Sequence, residues 1–145
     1  MCIRDRLRIS WKKGHESQFY WQADVPADFS QMEQDGGALV MEFMINKYPK
    51  GSVTQRMDCG WPCRGEIDVT EFYKSIPLRQ RSKVGISLSC FKKMGVDMEK
   101  ITSPLVLVSK DEFEITFSDV RVIANASEDN TIQLCDSEVA TLLQD

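Results

Sequence analysis

Apolar residues fall on every second position over most of the chain, the period of a strand with one face turned to a core. Leu7, Ile9 and Trp11 alternate with polar neighbours, and beyond a turn at residues 12–15 Phe19, Trp21 and Ala23 do so again. Pro26 has no N–H to give a sheet ladder, so residues 25–30 read as a connection. Over residues 38–46 nearly every position is apolar, with Leu39, Met41, Phe43 and Ile45 on one side, as in a strand covered on both faces. Val53, Gln55, Met57 and Cys59 form the next row, and Val84, Ile86, Leu88 and Cys90 another. Residues 105–108, 113–117 and 120–123 close the series.

The period changes once. Val69, Phe72 and Ile76 are spaced by three and four, which predicts a short helix capped by Thr70 and ended by Pro77. Glu71 in its first turn is favoured by the helix dipole, and Tyr73 falls on the exposed side. About eight or nine short strands with one or two brief helices predict an all-β jelly-roll sandwich. Its expected span is residues 7–123. Residues 1–6 have no apolar leader character and are set aside as a non-native string heading a piece of a longer protein. Residues 124–145 have lost the alternation and read as a partly ordered tail.

A length of 145 residues fits one domain, large enough to bury its own core without staples. Eighteen basic against 22 acidic residues give no electrostatic case for nucleic acid or an anionic membrane, and no apolar run could span a bilayer. His15 is the single histidine, so neither a metal centre nor a catalytic triad is supported. Gly36 and Gly37 are too sparse for a phosphate loop, and no cofactor is implied. Cys59 and Cys63 flank a Gly-Trp-Pro turn and Cys90 lies further on. Two readings stay open: a disulfide, Cys59 with Cys63 foremost, in an exported protein, or three buried free thiols.

Glu66, Asp68 and Glu71 carry the only arrangement that resembles catalytic chemistry, the E-x-D-x-x-E pattern of family 16 β-glucanases. Retaining hydrolysis requires the two carboxyls about 5–5.5 Å apart. The switch to helical spacing after Val69 takes Glu71 off the face that Glu66 and Asp68 share, so the three are expected to be solvated turn residues. A family 16-like fragment using these carboxylates is the alternative.

Three separated blocks carry a more extensive likeness. Cys59-Gly-Trp-Pro-Cys-Arg-Gly-Glu-Ile-Asp-Val-Thr70, Leu88-Ser-Cys-Phe91 with Gly95-Val-Asp97, and Ser103-Pro-Leu-Val-Leu107 resemble the C-terminal galactose-binding-like domain of bacterial family 3 exo-1,4-β-glucosidases. The likeness extends upstream through residues 37–43 and 49–53 and downstream to 117–122, and so covers nearly everything from Leu7 to Ile123. Arg81 or its neighbours stand where that family tends to carry a tryptophan, so no aromatic platform is expected there.

The resemblance implies a non-catalytic jelly roll appended to catalytic domains of the same parent chain, in a periplasmic or secreted β-glucan-degrading hydrolase. β-Glucan oligosaccharides are the implied ligand. A sugar-binding surface needs an exposed ring and fixed polar groups. Trp61 is the candidate ring, flanked by Asp58, Arg64 and Glu66, with Tyr73 as a further candidate. In a second reading the module docks on its own catalytic core through Phe29, Met32 and Met44.

Overall fold

The computed structural model describes residues 2–3 and 6–125 of the chain. Nine strands and three short helices follow in the order β1 (Cys2–Ile3), β2 (Leu7–Trp11), β3 (Ser17–Trp21), α1 (Ser30–Gln34), β4 (Ala38–Lys47), β5 (Val53–Asp58), β6 (Arg64–Asp68), α2 (Thr70–Lys74), β7 (Ser82–Ser87), α3 (Leu88–Lys93), β8 (Ser103–Ser109) and β9 (Phe113–Ile123). They form two antiparallel sheets. One has the order β1-β9-β4-β7, with β2 also paired along β9, and the other runs β3-β8-β5-β6. The first described strands and the last therefore lie side by side in the five-stranded sheet. The pairing of Cys2–Ile3 with β9 brings part of the stretch set aside as leader into that sheet.

Alternation decides the layers. Leu39, Met41, Phe43 and Ile45 of β4 meet Val53 and Met57 of β5 and Leu105 and Leu107 of β8 in one continuous core between the sheets. Trp11 is buried and Trp21 half-buried against this core, as their strand positions predict. The indole N–H of Trp11 donates to the carbonyl of Ser17 at 2.9 Å, tying the edges of the two sheets together.

Four local readings are corrected. Residues 113–123 form one strand: β9 pairs with β4 through a register shift between Glu42 and Phe43, so the alternation changes phase without the strand ending. Phe117 and Val120, three apart, thus both face inward. The strand expected to run through Leu88 and Cys90 stops at Ser87, whose hydroxyl accepts from the Ser89 N–H and caps α3. Glu66 and Asp68 lie on β6, not in a turn. Thr70 opens α2 without capping it; its hydroxyl instead accepts from the Val53 N–H at 2.8 Å, and the Asp68 carboxylate accepts from the Thr70 N–H.

Candidate functional site

The outer face of the four-stranded sheet is set by the residues that alternate with the core. In the β5–β6 hairpin these are Thr54, Arg56 and Asp58 on one strand and Arg64, Glu66 and Asp68 on the other. Arg56 stands opposite Glu66, and Asp58 opposite Arg64. Along the strands Arg56 Nε donates to Asp58 Oδ1 at 2.6 Å and Nη2 to Oδ2 at 3.2 Å, while Arg64 Nε lies 3.1 Å from Glu66 Oε1. Arg56, Asp58, Arg64 and Glu66 each have an opposite charge beside them and across from them. Solvent reaches the Arg64–Glu66 pair, which adds little stability, while the Arg56–Asp58 pair is partly buried. What they do is hold two guanidinium groups and two carboxylates in fixed directions, as donors and acceptors pointing away from the sheet.

The turn joining these strands presents an aromatic ring. Cys59 and Cys63 are disulfide-bonded with their Cα atoms 5.0 Å apart, and the backbone closes the turn again through Cys59 N–H to Cys63 C=O and Cys63 N–H to Gly60 C=O. Gly60 has φ +88°, a conformation glycine adopts without a Cβ penalty. Its N–H donates to the Thr102 hydroxyl, and the Asp97 N–H donates to Cys59 Sγ, so the first limb of the turn is anchored to two neighbouring loops. Trp61, at the tip, is 79% exposed. The Arg64 guanidinium carbon lies 4.5 Å from the ring centroid, a cation–π contact that covers one face of the indole and steadies it.

Asp58, Trp61, Arg64 and Glu66 are thus brought together, and Tyr73 is not. It is fully buried, stacked on Phe113 at 5.7 Å and edge-on to Phe43 at 5.5 Å. With only five residues α2 turns Tyr73 into the core and leaves Phe72 half-buried. Burial pushes the Tyr73 hydroxyl pKa far up, so it stays a donor, and it reaches Gln55 Oε1 at 3.4 Å.

The carboxylate pattern does not converge. Glu66 points outward from β6 beside Arg64, Asp68 accepts from the Thr70 backbone, and Glu71 lies on α2, 3.9 Å from Lys74. Among the described residues no group of three or more His, Cys, Asp or Glu could hold a metal, and no helix is long and apolar enough to cross a membrane. Cys90 is buried on α3 and is also disulfide-bonded. The apolar docking patch is mostly interior: Phe29 is buried and Met32 packs against the core. Met44 remains, lining a depression of about 300 Å³ with Arg6, Phe43, Arg81, Thr116 and Ser118 on the five-stranded sheet.

One surface residue escaped the sequence reading. Tyr20 is 53% exposed on the outer face of β3, in the row Tyr20, Val106, Arg56, Glu66 that runs straight across the sheet. The available signal was an aromatic residue on the polar phase of a strand whose other rings, Phe19 and Trp21, face inward.

Residues 3–122 match the family Exop_C, a galactose-binding domain-like family. No curated protein matches the chain. Among solved structures, the extra C-terminal domain of the exo-1,3/1,4-β-glucanase ExoP from a Pseudoalteromonas species superposes with a TM-score of 0.69 at 16% identity, covering 91% of this chain and 69% of that one. The full ExoP enzyme gives 0.69 at 18% identity, and the match covers 90% of this chain but only 15% of that enzyme. A family 30 carbohydrate-binding module from a cellulosomal cellulase of Clostridium thermocellum gives 0.66 at 19% identity, over 86% of this chain and 76% of that module. At these identities the likeness is one of fold.

Proposed function

Since the chain belongs to the Exop_C family of galactose-binding-like domains, we propose that it is a non-catalytic accessory module that binds β-linked glucan for a hydrolase. The observation that carries this reading is Trp61: an exposed indole on a disulfide-closed turn, one ring face held by Arg64, beside an alternating set of fixed charges. The free ring face offers an apolar platform for the C–H side of a pyranose, and Asp58, Arg64 and Glu66 offer acceptors and donors for its hydroxyls. The fold likeness to a glucanase's C-terminal domain and to a carbohydrate-binding module supports the same reading.

The parent we infer is a family 3 β-glucosidase of β-glucan degradation, with the catalytic domains of that same chain as partners. The Cys59–Cys63 disulfide and the bonded state of Cys90 support a periplasmic or secreted location, where such bonds persist. Against a family 16-like enzyme stands the separation of Glu66 and Glu71 onto a strand face and a helix, each beside its own cation.

Titrating the protein with cello-oligosaccharides while following tryptophan fluorescence tests the reading. Wild type should respond at millimolar sugar and Trp61→Ala should not. A wild type that shows no response sinks it, and so does glucan cleavage by the purified chain.

A further inference from the structure

Only two Trp, Tyr or Phe side chains among the described residues are exposed: Tyr20, on the outer face of the four-stranded sheet, and Trp61, at the tip of the turn between two of its strands and against the outward-facing Arg64. Tyr20, Val106, Arg56 and Glu66 are direct cross-strand neighbours on β3, β8, β5 and β6, so their side chains share that face. Val106 supports the assignment: it is 0% exposed yet belongs to neither apolar cluster, because the long side chains of its row cover it from outside. Between the two rings the floor is polar. Arg56 is held by Asp58 and reaches Gln18 Oε1 on β3 at 3.4 Å, so one guanidinium spans β8 from strand to strand.

From this arrangement we infer that the binding site is a track across the sheet, with Trp61 at one end and Tyr20 at the other, that accommodates an extended oligosaccharide and discriminates by chain length. The inference rests on the glucan-binding reading above and specifies its ligand. Two strand spacings of ~4.8 Å across the sheet and about three residues of ~3.3 Å along it, taken at right angles, separate Tyr20 from Trp61 by roughly 14 Å, the length of about three hexose units. A sugar stacked on Trp61 alone would leave Tyr20 solvated. A longer chain would reach both rings and pass over the Arg56–Asp58 pair, whose donors and acceptors meet its hydroxyls midway. Length selectivity follows because the second stacking contact is made within a ligand that is already bound.

The experiment is a calorimetric titration of the full chain with cellobiose, cellotriose, cellotetraose and cellopentaose, using wild type, Tyr20→Ala, Tyr20→Phe and Trp61→Ala. Affinity in wild type should rise with length as the chain reaches the second ring. Tyr20→Ala should remove about three- to ten-fold for the long ligands and leave cellobiose unchanged, while Tyr20→Phe keeps the rise. Trp61→Ala should weaken every length. If Tyr20→Ala keeps the wild-type length dependence, or weakens cellobiose as much as cellopentaose, the track is overturned while binding at Trp61 stands. If wild type binds none of the four, both fall together. Should Tyr20→Ala fail to fold, Tyr20→Thr, a better strand former, carries the same comparison.

Discussion

Arg64 lies with its guanidinium carbon 4.5 Å from the centre of the Trp61 ring, and the same guanidinium reaches Glu66 at 3.1 Å. One side chain therefore links the aromatic tip of the turn to the charged face of the sheet. Replacing it separates orientation from ring chemistry. Arg64→Ala should weaken cello-oligosaccharide binding by about three- to ten-fold, with an unfolding midpoint close to wild type, since the residue is half-exposed. Arg64→Lys should recover only part, because an ammonium cannot lie flat on the ring and bond the carboxylate together. Unchanged affinity in the alanine variant would show that Trp61 needs no such support.

Closing the turn should matter for sugar binding more than for the fold. A loop this short constrains the unfolded chain weakly, by about 2 kcal/mol in the chain-entropy picture. The variant with both Cys59→Ala and Cys63→Ala should still fold, at reduced stability in urea. Its sugar affinity should drop with little change in the near-ultraviolet signal of the core aromatics. Equal losses in binding and in core signal would count against this division.

Gly65 sits between Arg64 and Glu66 on the inward side of β6, where a Cβ would lie 2.7 Å from Val96 Cγ2 and 3.1 Å from both Met94 Cβ and the Phe91 carbonyl oxygen. The strand rests directly on the end of α3. Gly65→Ala should cost about 1–3 kcal/mol by overpacking and displace the two site residues beside it. Denaturant unfolding measures the first effect, and titration of the surviving folded protein measures the second.

Tyr73 and Gln55 form a buried polar pair inside the sandwich. Tyr73→Phe leaves Gln55 Oε1 without that donor and should cost about 1 kcal/mol, whereas Tyr73→Ala opens a cavity beside Phe113 and Phe43 and should cost about 3–5 kcal/mol. Neither change touches the outer face, so the phenylalanine variant should bind sugar as wild type does. A loss of affinity there would place Tyr73 back in the site.

Acid should weaken the five-stranded sheet through Glu114. Its carboxylate accepts from Ser10 Oγ at 2.7 Å and Arg8 Nη2 at 2.8 Å, and the Ser10 bond, with Arg8 behind it, holds its pKa below the usual value although burial opposes this. A folded pKa below the unfolded one gives stability that is complete above the ordinary glutamate pKa, ~4.3, and is lost as pH falls through the lowered value. Glu114→Gln should be less stable near neutrality and should lose less on acidification, which urea midpoints at neutral pH and below pH ~4 compare directly. Parallel pH curves for the two proteins would remove Glu114 from the acid response.

The sandwich was legible because the two faces of most strands differ so sharply in polarity, as in the rows of β5 and β6. Where the pattern misled, a local device kept residues buried out of phase. The register shift of β9 let Phe117 and Val120 face the same way, and the Ser87 cap bent Leu88 and Cys90 into a helix without exposing either. In the candidate site, the Gly-Trp-Pro turn between two cysteines placed Trp61 on a loop, whereas its exposure came from the fold and not from the sequence. Tyr73 was misplaced because five residues of helix fix no face by periodicity, so packing chose. Tyr20 was overlooked because its role depends on cross-strand partners far along the chain, Val106 and Arg56, which alternation within β3 does not reveal.

The pairing of β1 and β2 with β9 has an architectural corollary. The first and last described strands are neighbours in the same layer, and the ringed, charged surface belongs to the other layer. A domain attached at either end of this sandwich would thus join the layer opposite the one that carries Tyr20 and Arg56.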